Sequence, residues 1–148
     1  MSIQSKVAVI GGGSWATALV KILSNNTGPV RWWLRNPDTV QFINTYRHNP
    51  NYLSSVEFEA AKIEVSADVK KTIAEADIVV LAVPAAFLKN SLESLGPADF
   101  KNKIVFSAIK GIVPDDNLIV GEFLNQKYEI PFDNIGVISG PCHAEEVA

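Results

Sequence analysis

The sequence is poor in the residues that form disulfides and metal clusters. It contains one cysteine, Cys142, and two histidines, His48 and His143, among 148 residues. A single cysteine excludes an internal disulfide, and so few ligands give no reason to expect a metal centre. The start lacks the basic and apolar regions of a signal peptide, and no apolar run approaches the roughly 18 residues of a membrane span. We therefore expect a soluble, cytoplasmic domain.

An excess of positive charge is also missing. Thirteen basic residues against 16 acidic ones give a net charge of −3, which provides no general attraction to nucleic acid or to anionic membranes. An anionic ligand would therefore need locally placed positive groups. The chain is instead rich in apolar residues, at 47%. Its length suits a single domain over residues 1–148 that buries about two-thirds of its unfolded surface.

Strand-like and helix-like segments alternate along the chain. The expected strands are 6–10, 30–34, 63–65, 77–83, 103–107 and 134–139, and the expected helices are 14–25, one starting at 36–37, 68–75, 86–95 and 117–126. Residues 47–58 are polar without a clear period, which indicates a loop. The alternation predicts an α/β fold of the Rossmann type, a doubly wound and mostly parallel sheet with helices on both faces.

The glycine-rich turn between the first strand and the first helix carries the main functional signal. Gly11, Gly13 and Ala16 fit the G-x-G-x-x-[G/A] pattern of a dinucleotide-binding unit. Gly11 permits a sharp turn, Gly13 has no side chain to keep a diphosphate away, and Ala16 lets the helix pack close to the strand. Ser14 is predicted as the N-cap of a helix whose N-terminus attracts anions. The alternative is a purely structural turn, whereas a P-loop is excluded because no Gly-Lys-[Ser/Thr] follows.

The end of the second strand bears on which dinucleotide is bound. An acidic residue about 20 positions beyond the glycines usually holds the adenosine ribose. This sequence has Leu34-Arg35-Asn36 there and no carboxylate until Asp38. The Arg35 guanidinium is able to stack on adenine or to pair with a 2′-phosphate. This favours NADP, or the use of both NAD and NADP, and the alternative is a solvated arginine at a helix start.

Three further segments follow the carboxyl ends of predicted strands, where ligands bind in open α/β sheets. Phe87 would form a wall of the cofactor site or else belong to the core. Lys110 would place a cation beside a phosphate or a developing oxyanion, or else be solvated. Gly140-Pro141 precedes a second helix N-terminus. Cys142 fits a structural or substrate-lining role better than that of a nucleophile or metal ligand.

Together these segments resemble the N-terminal domain of bacterial-type NAD(P)-dependent glycerol-3-phosphate dehydrogenase. The stretches that carry the resemblance are 11–19, 33–37, 83–87, 109–111 and 138–141, and the resemblance spans nearly the whole chain. The family interconverts dihydroxyacetone phosphate and sn-glycerol 3-phosphate, which supplies the phospholipid backbone. The resemblance therefore implies an oxidoreductase with a small phosphorylated substrate, and a homodimer for the parent protein. The net charge and the absence of a long apolar run predict no nucleic acid partner and no membrane insertion.

The resemblance also implies roles for individual residues. The implied cofactor contacts are Gly11, Gly12, Gly13, Ser14, Trp15, Ala16, Arg35, Phe87, Lys110 and Ala144. Lys110 would lie between cofactor and substrate, while Gly140 and Cys142 would border the substrate. Ala16 departs from the family's usual third glycine. Cys142 replaces the usual hydroxyl residue, which weakens any hydrogen-bond donor at that position.

The family's general-acid lysine lies in a helical C-terminal domain that this sequence does not include. No catalytic residue is therefore expected here, and we expect the chain to bind the nucleotide with little or no activity alone. Residues 142–148 resemble the first turns of a helix, which suggests the first domain of a longer protein. Two other functions stay open: the cofactor domain of another two-domain hydroxy-acid or sugar-acid dehydrogenase, and a non-enzymatic NAD(P)H-sensing module.

Overall fold

The computed structural model describes residues 4–139, which form a six-stranded sheet, a two-stranded sheet and five α-helices. The strands are β1 (Val7–Ile10), β2 (Val30–Trp33), β3 (Ile63–Ser66), β4 (Ile78–Leu81), β5 (Ile104–Ser107), β6 (Ile112–Val113), β7 (Leu118–Ile119) and β8 (Ile135–Val137). The helices are α1 (Ser14–Asn26), α2 (Pro37–Tyr46), α3 (Val69–Ala74), α4 (Ala85–Ser91) and α5 (Val120–Tyr128). Short 3₁₀ helices cover Ala60–Lys62, Pro97–Phe100 and Phe132–Asn134.

The order of strands in the large sheet confirms the predicted fold class. The order is β3-β2-β1-β4-β5-β8, and every neighbouring pair is parallel. The chain runs outward from β1 in one direction and outward from β4 in the other. The strand order therefore reverses between β1 and β4, which is where open α/β sheets bind their ligands.

Two hydrophobic cores cover the two faces of this sheet. In β1, Ala8 and Ile10 belong to one core, and Val7 and Val9 belong to the other, as the two-residue period of a strand requires. The first core contains residues of α3, α4 and α5, and the second contains residues of α1 and α2. The sheet is thus doubly wound as predicted.

None of the described helices is both long and apolar enough to cross a bilayer.

Residues 112–119 differ from the prediction of a helix beginning at residue 117. Ile112 pairs with Ile119 in an antiparallel hairpin formed by β6 and β7. Asp115 and Asn117 in its turn have φ values of 69° and 54°. Asp and Asn adopt this left-handed conformation more readily than most residues. Because Asn117 is left-handed, it cannot be in a helix, and α5 begins only at Val120.

Several other elements are shorter than predicted, among them the strand expected over 77–83, which covers Ile78–Leu81. The helix expected over 86–95 ends at Ser91, and the strand expected over 134–139 covers Ile135–Val137. The loop predicted over residues 47–58 is confirmed, because no helix or strand is formed there.

Candidate functional site

The turn between β1 and α1 is so tight that its first position accepts only glycine. Gly11 has a φ of +141°, and a Cβ on it would lie 2.2 Å from the carbonyl oxygen of Ala82. A Cβ on Gly12 would lie 2.9 Å from the Leu34 side chain, whereas a Cβ on Gly13 would meet nothing within 4 Å. The fold therefore requires Gly11. Gly13 instead presents bare backbone to open space.

Ser14 is not the N-cap of α1, so that prediction is wrong by one residue. Gly13 occupies the N-cap position in an extended conformation, with φ −81° and ψ −174°. Its carbonyl accepts the first helical hydrogen bond, from the N–H of Thr17 at 3.0 Å. No side-chain cap covers the first turn. The N–H groups that begin a helix have no partner within it, so here they can bind an external anion at the positive end of the helix dipole.

Ala16 and Trp32 pack beneath the turn and fix its position. Ala16 is fully buried, and a Cβ on Gly11 would lie 3.3 Å from the Ala16 Cβ. The helix therefore lies close against the turn, as predicted from the small side chain. The buried indole Nε1–H of Trp32 donates to the carbonyl of Gly11 at 2.6 Å. The N–H of Gly11 donates in turn to the carbonyl of Trp33 at 3.0 Å, which joins the turn to β2.

A cleft of about 320 Å³ opens beside this turn. Four segments contribute to it: the glycine turn, the end of β2 with the start of α2, part of the loop 47–58, and the connection from β4 into α4. The lining residues are Gly11, Gly12, Gly13, Trp33, Leu34, Arg35, Asn36, Thr39, Asn51, Tyr52, Val83, Pro84, Phe87 and Ser91. The cleft thus lies at the carboxyl ends of β1, β2 and β4, next to the reversal of strand order.

Arg35 and Phe87 face each other in this cleft. The guanidinium carbon of Arg35 lies 5.9 Å from the centre of the Phe87 ring, within the range of a cation–π contact. Phe87 is 49% exposed, so it does not belong to the hydrophobic core, which was the alternative explanation for it. A planar aromatic ring and a planar cation thus stand beside the open glycine turn.

The charge of the cleft comes from Arg35. No other lining residue described here carries a charge, and none is acidic. Asp38 is close in sequence but does not line the cleft. Its backbone N–H donates to Oδ1 of Asn36 at 2.9 Å, which caps the start of α2. Asn36 is therefore the N-cap and Pro37 the first helical residue, as predicted.

Within residues 4–139, no three His, Cys, Asp or Glu side chains are grouped closely enough to hold a metal ion.

The structure brings together five of the predicted site residues: Gly11, Gly12, Gly13, Arg35 and Phe87. Three others lie in the first turn of α1: Ser14 and Trp15 are partly buried, and Ala16 is buried beneath the turn. Lys110 is exposed in the connection after β5 and does not line the cleft. Gly140, Cys142 and Ala144 lie outside the described residues.

The contribution of the loop 47–58 to the cleft was not predicted from the sequence. Asn51 and Tyr52 line the cleft, although the sequence predicted only a loop over these residues. Thr39 and Ser91 were also missed. The signal in the sequence is the segment Asn49-Pro50-Asn51, which is typical of a turn but does not reveal which part of the molecule the turn approaches.

The sequence matches a known protein family and the first part of longer relatives. The family described as "NAD-dependent glycerol-3-phosphate dehydrogenase N-terminus" matches residues 6–148. Glycerol-3-phosphate dehydrogenase [NAD(P)+] of Bacillus subtilis (strain 168) is 35% identical over 147 residues, which are 97% of this chain and 42% of that protein. The chain therefore spans less than half the length of this relative.

Solved structures show the same fold. Glycerol-3-phosphate dehydrogenase from Coxiella burnetii superimposes with a TM-score of 0.85 at 23% identity, covering 97% of this chain and 43% of that one. The enzyme from Saccharomyces cerevisiae gives a TM-score of 0.84 at 22% identity, covering 98% of this chain and 44% of that one. The structural likeness agrees with the family match, which covers nearly the whole chain. The chain belongs to the family of NAD-dependent glycerol-3-phosphate dehydrogenase N-terminal domains.

Proposed function

We propose that the chain binds NAD(H) or NADP(H) in the cleft, as the cofactor-binding part of an enzyme that interconverts dihydroxyacetone phosphate and sn-glycerol 3-phosphate. The observation that carries the proposal is the open glycine turn. Gly13 presents bare backbone to open space at the N-terminus of a 13-residue helix without a side-chain cap. The substrate is proposed from the names of the relatives, such as the glycerol-3-phosphate dehydrogenase of Bacillus subtilis.

The residues of the cleft fit the parts of a dinucleotide. The N–H groups at the start of α1 would hold the diphosphate, since backbone donors and the helix dipole both favour an anion there. Arg35 and Phe87 would contact the adenosine part, Arg35 as a cation and Phe87 as an aromatic surface. The nicotinamide of the bound cofactor would supply or accept the hydride.

We propose that the cleft accepts both dinucleotides and binds NADPH somewhat better than NADH. The described lining contains Arg35 and no carboxylate. A guanidinium attracts a 2′-phosphate, whereas selectivity for NAD usually depends on an acidic residue that binds the ribose hydroxyl groups. Arg35 is exposed and lines the cleft, so its guanidinium would be accessible to such a phosphate.

The remaining roles come from the resemblance to the family. Ser14 and Trp15 would contact the cofactor, and the Lys110 ammonium would stabilise negative charge on the substrate. Ala144 would line the cofactor, and Gly140 and Cys142 would border the substrate. The general acid would come from outside these 148 residues. We therefore propose that the chain binds the nucleotide without turning over substrate by itself.

Titration calorimetry of the 148-residue chain with NADH and NADPH tests this proposal. One nucleotide per chain is expected, with the NADPH dissociation constant equal to or lower than that of NADH. Absence of binding by both would refute the proposed function. In parallel, oxidation of NADPH in the presence of dihydroxyacetone phosphate should not be accelerated by the chain, and turnover would refute the proposed inactivity. Assaying a longer protein that contains this chain with dihydroxyacetone phosphate and with hydroxy acids would distinguish the substrate classes.

A further inference from the structure

Asn49 is a fully buried polar residue in the loop 47–58, and its side-chain amide joins two parts of the molecule. Its Nδ2 donates to the carbonyl of Gly12 at 3.1 Å and to the hydroxyl of Thr17 at 3.0 Å. Its Oδ1 accepts from the N–H groups of Asn51 at 3.0 Å and of Tyr52 at 3.3 Å. These four bonds use the full hydrogen-bonding capacity of the amide.

The network leaves one orientation for this amide. If its oxygen and nitrogen were exchanged, Oδ1 would face the carbonyl oxygen of Gly12, and the NH₂ group would face two N–H donors. Both arrangements are repulsive in a buried site. One side of Asn49 therefore donates to the glycine turn, and the other side accepts from the loop that lines the cleft.

Each of the three glycine carbonyls accepts a hydrogen bond from a different side chain. Trp32 donates to Gly11 at 2.6 Å, Asn49 donates to Gly12, and the Thr17 hydroxyl donates to Gly13 at 2.7 Å. The Thr17 hydroxyl also accepts from Asn49, so the Asn49 bond orients it towards Gly13. Asn49 thus acts on two of the three carbonyls, one directly and one through Thr17.

Orienting these carbonyls also orients the N–H groups that follow them. In a planar trans peptide, the N–H points opposite to the C=O of the same peptide unit, and the described peptide bonds are all trans. Holding the Gly12 carbonyl towards Asn49 therefore directs the N–H of Gly13 away from Asn49. In the same way, the bond from the Thr17 hydroxyl to the Gly13 carbonyl directs the N–H of Ser14 away from that hydroxyl.

We propose that Asn49 is a positioning residue for nucleotide binding. It directs the N–H groups of the glycine turn towards the diphosphate, and it holds the segment Asn51–Tyr52 against the same cleft. Asn49 is fully buried and acts only through the backbone it binds. This inference rests on the proposed function, because the ligand is taken to be a diphosphate-containing dinucleotide.

The variant Asn49→Asp tests the proposal because it preserves the shape of the side chain. It retains the acceptor for Asn51 and Tyr52 and replaces the donor that faces Gly12 and Thr17. The dissociation constants of NADH and ADP-ribose are expected to rise about tenfold or more, because the hydrogen bonds from the N–H groups of the glycine turn to the charged diphosphate are weakened. Binding of adenosine, which has no phosphate, should change little.

Asn125→Asp is the matched control. Nδ2 of Asn125 donates to the carbonyl of Ile130 at 2.9 Å, so the same exchange removes a donor to a loop carbonyl away from the cleft. Urea unfolding should show a loss of stability in both variants, while Asn125→Asp retains the wild-type dissociation constant for NADH. Equal loss of adenosine and ADP-ribose binding in Asn49→Asp would overturn the proposal, as would unchanged NADH binding.

Thr17→Val provides an uncharged second variant if Asn49→Asp does not fold. It removes the hydroxyl bond to the Gly13 carbonyl, although the N–H of Thr17 continues to donate to that carbonyl. A smaller rise in the NADH dissociation constant is expected, and no rise would overturn the proposal.

The NMR amide resonances of the ligand-free chain separate this inference from the proposed function. If the wild-type chain binds no nucleotide, the proposed function fails, and the resonances of Gly12, Gly13 and Ser14 still report the orientation of the turn. Shifts of these resonances in Asn49→Asp or Thr17→Val, but not in Asn125→Asp, would support the positioning role. Unchanged resonances would overturn it.

Discussion

Replacing Gly13 with alanine separates the demands of the fold from those of the ligand. The backbone at Gly13 has φ −81°, which alanine adopts without strain, and an added Cβ would meet nothing within 4 Å. Because Gly13 lines the cleft, this methyl group would occupy space beside the N–H groups proposed to hold the diphosphate. The variant should fold normally and bind nucleotide weakly.

The expected change in stability is small because two effects oppose each other. Glycine-to-alanine replacement at a compatible position stabilises a protein by about 0.4–1 kcal/mol through the unfolded chain. Alanine is a poorer N-cap residue than glycine, with a penalty of roughly 0.5–1 kcal/mol. The free energy of unfolding of Gly13→Ala should therefore lie within about 1 kcal/mol of the wild-type value.

The expected loss of affinity is larger. A hydrogen bond to a charged group contributes about 1.5–3 kcal/mol, and displacing the diphosphate from the turn weakens at least one such bond. A loss of about 2 kcal/mol corresponds to a roughly 30-fold rise in the dissociation constant for NADH.

Calorimetry with NADH and urea unfolding of the same samples measure the two effects, and Gly11→Ala provides the contrast. At Gly11 a Cβ would lie 2.2 Å from the Ala82 carbonyl oxygen at a φ of +141°, so backbone strain and overpacking together should destabilise the fold by about 2–6 kcal/mol. Wild-type NADH affinity in a stable Gly13→Ala variant would refute the assignment of the diphosphate to this turn.

Three further predictions concern the cofactor preference, the stability at high pH and the edge of the sheet. Arg35→Asp should lower NADPH affinity relative to NADH by about tenfold or more, and an unchanged ratio in calorimetry would show that Arg35 does not bind the 2′-phosphate. Burial raises the pKa of Tyr128, so the unfolded chain loses the phenol proton first, and stability should fall as the pH rises above about 10. Tyr128→Phe should remove this part of the alkaline loss in urea titrations while costing about 1 kcal/mol at neutral pH, because the bond to the Leu92 carbonyl is lost. Gly136→Ala would place a Cβ 2.4 Å from the Phe106 ring and should lower the free energy of unfolding by about 1–3 kcal/mol; an unaffected melting temperature would contradict this.

The parallel sheet was predictable because its signals are local. The apolar runs that form β1 and β4 are buried on both faces, and alternation of strands with helices restricts the connections to parallel crossovers. The start of α2 was equally clear, since Asn36 and Pro37 have the chemistry of an N-cap and a first helical residue.

The parts that were missed depend either on a contact between distant residues or on backbone conformations that the residue types did not reveal. Asn49 reaches the carbonyl of Gly12 across 37 positions, and no periodic pattern indicates that this loop approaches the glycine turn. The N-cap of α1 was assigned to Ser14 because serine is a common cap, whereas the extended backbone of Gly13 places the cap one residue earlier. The left-handed Asn117 similarly turns an apparent helix start into a hairpin.

An NMR titration of the ¹⁵N-labelled chain with NADH tests the central claim most directly, because it observes the amide groups proposed to hold the diphosphate. The resonances of Gly12, Gly13 and Ser14 should shift and saturate at one equivalent of nucleotide, together with those of Arg35 and Phe87, which line the cleft. Saturable binding that leaves the glycine-turn resonances unchanged would contradict the claim that this turn is the diphosphate site.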